Sequence, residues 1–380
     1  MTSTILILLG VYLASAFLGV MVTELLLLVT YRRRLFDKPD ARKVHKLPIP
    51  RLGGVSFLPV VMITLAVTVG MMYHLGNTAI FEREYYVLIQ LAVLLGSGMM
   101  MYIVGVADDL VDVNYRFKLL FQFVASCIVV LSGLWIKDYC GLFGIQEVPG
   151  LIGMPLSVLL IIYLMNSINM IDGIDGLASG IGILSLIALT VIAHAENHFL
   201  HMLIGVSMLG VVSAFWFFNM FGSRERSTKV FMGDSGSLTL GLILSFLIIN
   251  ASDFGAGNPS LNGYYMAIGF STLIIPLLDV PRIVFWRLVH RRSPFQADQN
   301  HIHHLLMRCG LSQHATLAVL LGVDVALIVL TVLIGRKMGV TGMFCIDALL
   351  WYAFTAVVVA VVRRKEKASP SAQPIETGDR

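Results

Sequence analysis

Four short polar stretches interrupt an otherwise apolar chain, and each carries side chains able to hold a metal, a phosphate or a proton. The first, VGVADDLVDVNYRFK, ends an apolar run on Asp108 and Asp109. Adjacent carboxylates repel, and the negative end of a helix dipole makes their charge less favourable still, so a cation should offset them. Mg²⁺, Lys118 or Arg116 could each do so, and an acidic pair suits a hard divalent ion; a pair of solvated loop aspartates is the plainer alternative. The second stretch, NSINMIDGIDGLASG, sets Asn166 and Asn169 three apart, as it does Asp172 and Asp175. Gly173, Gly176 and Gly180 permit close backbone approach where the next helix starts. An Asn amide both donates and accepts, so it can ligate a metal or read a base. Asp175 taken alone could equally be a helix N-cap.

The third stretch, KVFMGDSGSLTLG, puts Asp234 between two glycines, with Ser235 and Ser237 following. In such a turn a carboxylate can sit beside a phosphate-bound metal while backbone N–H groups face phosphate oxygens. The string is not a Walker A loop and lacks the strand context of a nucleophile elbow, which argues against a serine hydrolase. The fourth, DQNHIHHLLMR with RRSPF upstream, supplies Arg291, Arg292, His301, His303, His304 and Arg308. Zinc would want longer gaps or an i, i+4 pair. Donors around a pyrophosphate suit this spacing better, and a structural polar loop is the third reading.

These stretches must be positioned by membrane helices. The chain is 57% hydrophobic and 13% charged, with a mean hydropathy of +0.84, which places it among integral membrane proteins. Apolar runs long enough to cross a bilayer fall at 3–31, 53–74, 86–107, 117–136, 151–165, 177–193, 199–218, 237–250, 264–286, 314–335 and 341–362. The runs at 151–165 and 237–250 are short, so the fold expected is all-α and polytopic with ten or eleven spans. The first run has no basic leader and is followed by YRRR, the pattern of a retained anchor. With that basic end cytoplasmic, the N-terminus lies outside and RRKEK inside. Assigning every Lys and Arg to the nearer side leaves 23 inside and four outside, at Arg83, Lys137, Arg336 and Lys337.

That topology puts all four stretches, with Asn219 and Asp298, on the cytoplasmic face, whereas Glu82, Glu84, Asp138 and Glu147 opposite read as solvated loop. Arg32 to Arg34 anchor the chain, and Arg42, Lys43, His45 and Lys46 are dense enough to touch a lipid phosphate. The net charge of +4 meets anionic headgroups, and nothing points to nucleic acid. Cys127, Cys140, Cys309 and Cys345 lack metal spacing and read as packing residues. One domain is expected over 1–365, with a disordered cytoplasmic tail over 366–380. A transporter would need polar residues near the midplane. Glu24, Asp324 and Asp347 are the candidates and form no cluster, and Asp279 with Arg282 reads as an i, i+3 ion pair.

Taken in order, DKPDARKVH, PRLGG, the ADD helix end, NMIDGIDGLA, FMGDSGS, PLLDVPRI and SPFQADQNHIHHLLMR make the chain resemble the polyprenyl-phosphate N-acetylhexosamine-1-phosphate transferases over nearly its whole length. HIHH followed by Arg308 is similar to the WecA-type and TagO-type branch, which uses UDP-N-acetylglucosamine and undecaprenyl phosphate. The resemblance implies transfer of GlcNAc-1-phosphate to the lipid phosphate with release of UMP, the first membrane step of a cell-surface polysaccharide pathway. It further implies Mg²⁺, with Mn²⁺ as substitute, a multi-pass protein of the bacterial cytoplasmic membrane, and leaves a homodimer open. On it, Asp234 and Asn169 are assigned to the metal, and Asp108 and Asp109 to positioning or deprotonating the lipid phosphate. Asn166, Asp172, Asp175 and Lys118 are assigned to substrate, and His301, His303, His304 and Arg308 to the pyrophosphate and GlcNAc. Another UDP-N-acetylhexosamine donor is the alternative.

Overall fold

The computed structural model describes residues 2–33, 49–77, 84–223, 225–254, 258, 261, 263–291, 293 and 299–368. The expectations on Arg34, Arg42, Lys43, His45, Lys46, Glu82, Arg83, Arg292, Asp298 and the tail after 368 lie outside these residues. The helices are α1 (Thr2–Arg33), α2 (Phe57–His74), α3 (Tyr85–Val111), α4 (Tyr115–Leu131), α5 (Gly150–Ile171), α6 (Leu177–Ala195), α7 (Phe199–Phe221), α8 (Gly233–Asp253), α9 (Tyr264–Ser271), α10 (Ile274–Val289), α11 (Ile302–Arg308) and α12 (Gln313–Ala368). The chain is thus nearly all-α. The exception is a hairpin, β1 (Asp138–Leu142) with β2 (Ile145–Glu147), on a stretch that reads as loop in the sequence. Its two-residue turn, Phe143 and Gly144, has positive φ at both positions (51° and 80°), the geometry that matches strand twist.

Among the described residues eight helices are long and apolar enough to cross a membrane, or nine with a bent pair taken as one span. Two elements account for the difference from the ten or eleven expected. The 17-residue α4 falls below the length counted, and α12 is two helices joined at a kink at Gly339 (φ 68°, ψ 171°), matching the two runs after 313; its far end returns to its start, where Lys365 donates to the Cys309 carbonyl. The bent pair is α9 and α10, which meet at 65°. Pro276 in the first turn of α10 explains the break at Thr272 and Leu273, because a proline ring clashes with the carbonyl four residues earlier.

The two runs that look short in sequence are full-length helices of 22 and 21 residues, Gly150–Ile171 and Gly233–Asp253. Each gains its missing turns from polar residues, Asn166 and Asn169 in α5 and Asp234 and Ser235 in α8. Helix α8 is the centre of the bundle, with 94% of its most apolar window buried. Close approach at glycine makes that possible: a Cβ on Gly105 of α3 would fall 2.4 Å from the Ser235 Cα, and one on Gly241 would fall 2.7 Å from the Met165 Cα of α5. The ends of α3, α5 and α7 and the starts of α4, α6 and α8 therefore meet at one end of the bundle, where the polar residues gather.

Candidate active site

The site is built around the first turn of α8. Gly233 takes φ +72°, and any Cβ there would lie 2.1 Å from the Arg51 carbonyl oxygen and 2.6 Å from both Asp109 oxygens. The PRLGG segment braces this turn by backbone pairing: Phe231 N–H donates to Pro50 O (2.8 Å), Gly53 N–H to Phe231 O (2.9 Å) and Gly54 N–H to Met232 O (2.8 Å). Asp109 caps α8 from a different helix. Its Oδ1 accepts from Asp234 N–H (2.7 Å), and its Oδ2 from Ser235 N–H (3.1 Å) and the Ser235 hydroxyl (2.8 Å). A carboxylate is favoured at a helix N-terminus both by these bonds and by the dipole. Both oxygens of Asp109 are thereby engaged in holding Asp234 in place.

Its sequence neighbour faces elsewhere. The Asp108 Oδ1 accepts from Val113 N–H (2.8 Å), across the left-handed Asp112 (φ 53°) that ends α3. The Asp108 Oδ2 meets Lys118 Nζ at 3.0 Å, and the same ammonium lies 2.9 Å from Asp234 Oδ2. Lys118 is delivered by the first turn of α4, which Asn114 caps by accepting from Arg116 N–H (3.0 Å). Asn169 donates to the Ser237 hydroxyl (2.9 Å) and lies within hydrogen-bonding reach of Asp234. Asp108, Asp234, Asn169 and Lys118 thus converge.

The acidic loop after α5 divides its two aspartates. Asp172 ends α5, and desolvation, together with the charges of Asp175, Asp234 and Asp109, pushes its carboxyl up to about 7 against the pull of Arg51. A raised acid pKa means the folded state binds the proton more tightly, so this group withdraws stability as pH rises from about 4 to about 7. Asp172→Asn should therefore melt higher than the wild type at pH 8 in EDTA and lose that advantage at pH 4. Equal melting curves at pH 8 would place Asp172 in a solvated environment. Asp175 does not cap α6, whose N-cap is Gly176. Its Oδ2 accepts from Lys229 Nζ at 2.8 Å; Lys229 also donates to the Asn219 carbonyl, and the Asn219 amide oxygen accepts from Gly176 N–H (2.6 Å). Asn166 pairs its amide with that of Gln122, donating at 2.6 Å.

The histidine loop docks on this acidic loop. His303 is buried, and a Cβ at Gly173 would fall 2.1 Å from its Nε2, so only glycine at 173 admits the ring. Burial, then the neighbouring His304 and His301, hold His303 well below the usual histidine range, which leaves it neutral at pH 7. Neither ring nitrogen of His303 has a hydrogen-bond partner among the described residues. The His301 ring lies 5.7 Å from that of His303, and the His303 ring 4.3 Å from that of His304. His301 Nδ1 contacts Asp279 Oδ2 at 2.9 Å, a contact that puts the proton on Nδ1. Asp279 is fully buried and also takes Arg282 on Oδ1 (2.7 Å) and Ile302 N–H on Oδ2 (3.3 Å). Arg308 makes its contact with Glu366 near the end of α12.

Asp279, Lys229, Gln122 and Arg51 are the polar contributors that sequence reasoning leaves out of the site. The expected i, i+3 pair of Asp279 and Arg282 is present, but it also anchors the histidine loop. A carboxylate and an arginine just past a helix-breaking proline is the signal that could have marked it. The donor set at the α8 start, Asp108, Asp234 and the Asn169 amide, consists of hard oxygens, and an ammonium already bridges the two carboxylates. Both features fit a small divalent cation. Among the described residues no group of three His, Cys, Asp or Glu side chains has the arrangement of a metal cage.

Residues 91–252 match glycosyl transferase family 4. The chain is 29% identical over 324 residues to the undecaprenyl-phosphate alpha-N-acetylglucosaminyl 1-phosphate transferase of Yersinia pestis, covering 84% of this chain and 82% of that one. It is 29% identical over 280 residues to the protein of the same name in Escherichia coli (strain K12), covering 73% and 70%. A Bacillus subtilis (strain 168) protein, named a probable undecaprenyl-phosphate N-acetylglucosaminyl 1-phosphate transferase, is 24% identical over 359 residues, covering 92% and 88%.

Proposed function

We propose that this chain, whose residues 91–252 match glycosyl transferase family 4, transfers GlcNAc-1-phosphate from UDP-GlcNAc to undecaprenyl phosphate on the cytoplasmic side of a bacterial membrane. A lipid phosphate oxygen attacks the sugar-bearing phosphorus; the new P–O bond forms as the bond to the bridging oxygen breaks, and UMP leaves with that oxygen. The observation that carries the reading is the convergence of Asp108, Lys118 and Asp234 at 2.9–3.0 Å, beside a histidine loop seated on the acidic loop at Gly173. The names of the relatives support the same substrates.

The main obstacle to this reaction is repulsion between two anionic partners. A phosphate monoester has a second pKa near about 6, so the nucleophile is already mostly ionised at pH 7 and needs little base help. Asp108 therefore positions Lys118 and the acceptor rather than removing a proton. Asp234 and Asn169 would hold Mg²⁺, which when bound offsets phosphate charge. Asp279 fixes the His301 ring through Nδ1 on the side of the acidic loop where the donor would lie, and His303 walls that loop. Asp172, Asp175 and Asn166 face the nucleotide and sugar, Asp175 being fixed in that role by Lys229.

The basic ends of α1 and α12 support an N-terminus outside and a C-terminus inside. A cysteine placed at 225 should accept impermeant label only from the cytoplasmic side. Purified protein given undecaprenyl phosphate and a panel of UDP-sugars should release UMP with UDP-GlcNAc and stop in EDTA. Release with UDP-GalNAc alone would change the donor, and no release with any sugar would remove the assignment.

A further inference from the structure

Asp108 Oδ1 accepts from Val113 N–H, and the Asp234 backbone is held in the capped first turn of α8. The remaining oxygens share one ammonium, and two carboxylates this close cannot both stay ionised without a cation. Lys118 supplies it, at 3.0 and 2.9 Å, from a flexible four-carbon stem whose side chain is 23% exposed.

We propose that Lys118 is the resident counter-ion of the Asp108–Asp234 pair and is displaced when a divalent cation binds. The inference rests on the reading that assigns Asp234 to the metal. Mg²⁺ accepts oxygen ligands only, so an ion taking the Asp234 Oδ2 must break that oxygen's contact with the ammonium. Loading is then an exchange of cations, not an addition. Two consequences follow from the geometry. The metal-free protein never exposes a bare like-charged pair, and its metal affinity is weakened by the fraction of molecules in which Lys118 fills the position. The displaced ammonium stays tethered to α4, next to the pocket that two anionic phosphates must enter.

Lys118→Met keeps the length of the side chain and removes its charge. Mn²⁺ binding to the detergent-purified protein, read from loss of the free-ion paramagnetic resonance signal without nucleotide or lipid, should be tighter in Lys118→Met than in wild type by about tenfold or more. In EDTA the variant should melt below wild type, and Mn²⁺ should raise its melting temperature by more. Equal or weaker Mn²⁺ binding by the variant overturns the exchange and leaves the metal assignment standing. Binding by neither protein overturns both. Should Lys118→Met fail to fold, Asp108→Asn with and without Lys118→Met gives the same comparison with the repulsion removed. There, too, the protein lacking Lys118 must bind Mn²⁺ more tightly.

Discussion

Asp234→Asn should lower UMP release from UDP-GlcNAc by at least about a hundredfold while leaving the protein folded. Removing one preorganised electrostatic contact at a reacting centre costs roughly a hundred- to a thousandfold, and here the lost charge sits at the junction with Lys118. The fold should survive because Asp109 caps α8 through the backbone N–H of residue 234 and the backbone and hydroxyl of Ser235, not through the Asp234 side chain. An Asn is the same size, so Gly233 keeps its left-handed turn. What disappears is a negative ligand and a favourable charge in the first turn of a helix, the latter worth under about 1 kcal/mol. Single-turnover kinetics at rising Mg²⁺, paired with thermal melting, check both halves. A rate restored at high Mg²⁺ would move Asp234 away from direct metal contact, and an unchanged rate would take it out of the mechanism.

The same turn shows how far the sequence could be read. Asp108 and Asp109 are equivalent as a dipeptide, and both suggest a site at a helix end. Successive helical residues point about 100° apart, so one carboxylate meets Lys118 and the other meets the start of α8. Which does which depends on a helix more than a hundred residues away, and no local pattern records that. The same holds for Asp175, whose sequence context fits an N-cap equally well until Lys229 is seen 2.8 Å from it. Hydropathy finds the apolar body of every long helix, yet it clips α5 and α8 where Asn169 and Asp234 enter, because the residues that make the site are the ones that dilute the apolar signal. Composition sees two apolar runs after residue 313, and the kink at Gly339 that divides them is a property of backbone geometry.

Asp279→Ala should be the most damaging change outside the acidic cluster. In sequence it is half of an i, i+3 ion pair; in the structure its two oxygens gather Arg282, His301 and the Ile302 N–H at full burial. Removing one member of a buried pair leaves the other charged and unpaired, at a cost of about 3–5 kcal/mol. Among the described residues Arg282 is left with its bond to the Asn300 carbonyl (2.6 Å), so the loop entering α11 loses its anchor while α10 keeps a partly buried cation. The melting temperature should fall by several degrees. Activity should fall further than the unfolded fraction explains, because His301 no longer has the carboxylate that fixes its proton on Nδ1 and sets its ring beside His303. Asp279→Asn separates the two effects. It keeps an acceptor for Arg282 or Ile302 and should recover part of the stability, but it no longer provides the charge that orders His301. Turnover of UDP-GlcNAc, measured where all three proteins are folded, should therefore rank wild type well above both variants. Wild-type turnover in Asp279→Asn would mean that Asp279 serves the fold alone and that the histidine loop finds its position by packing against Gly173.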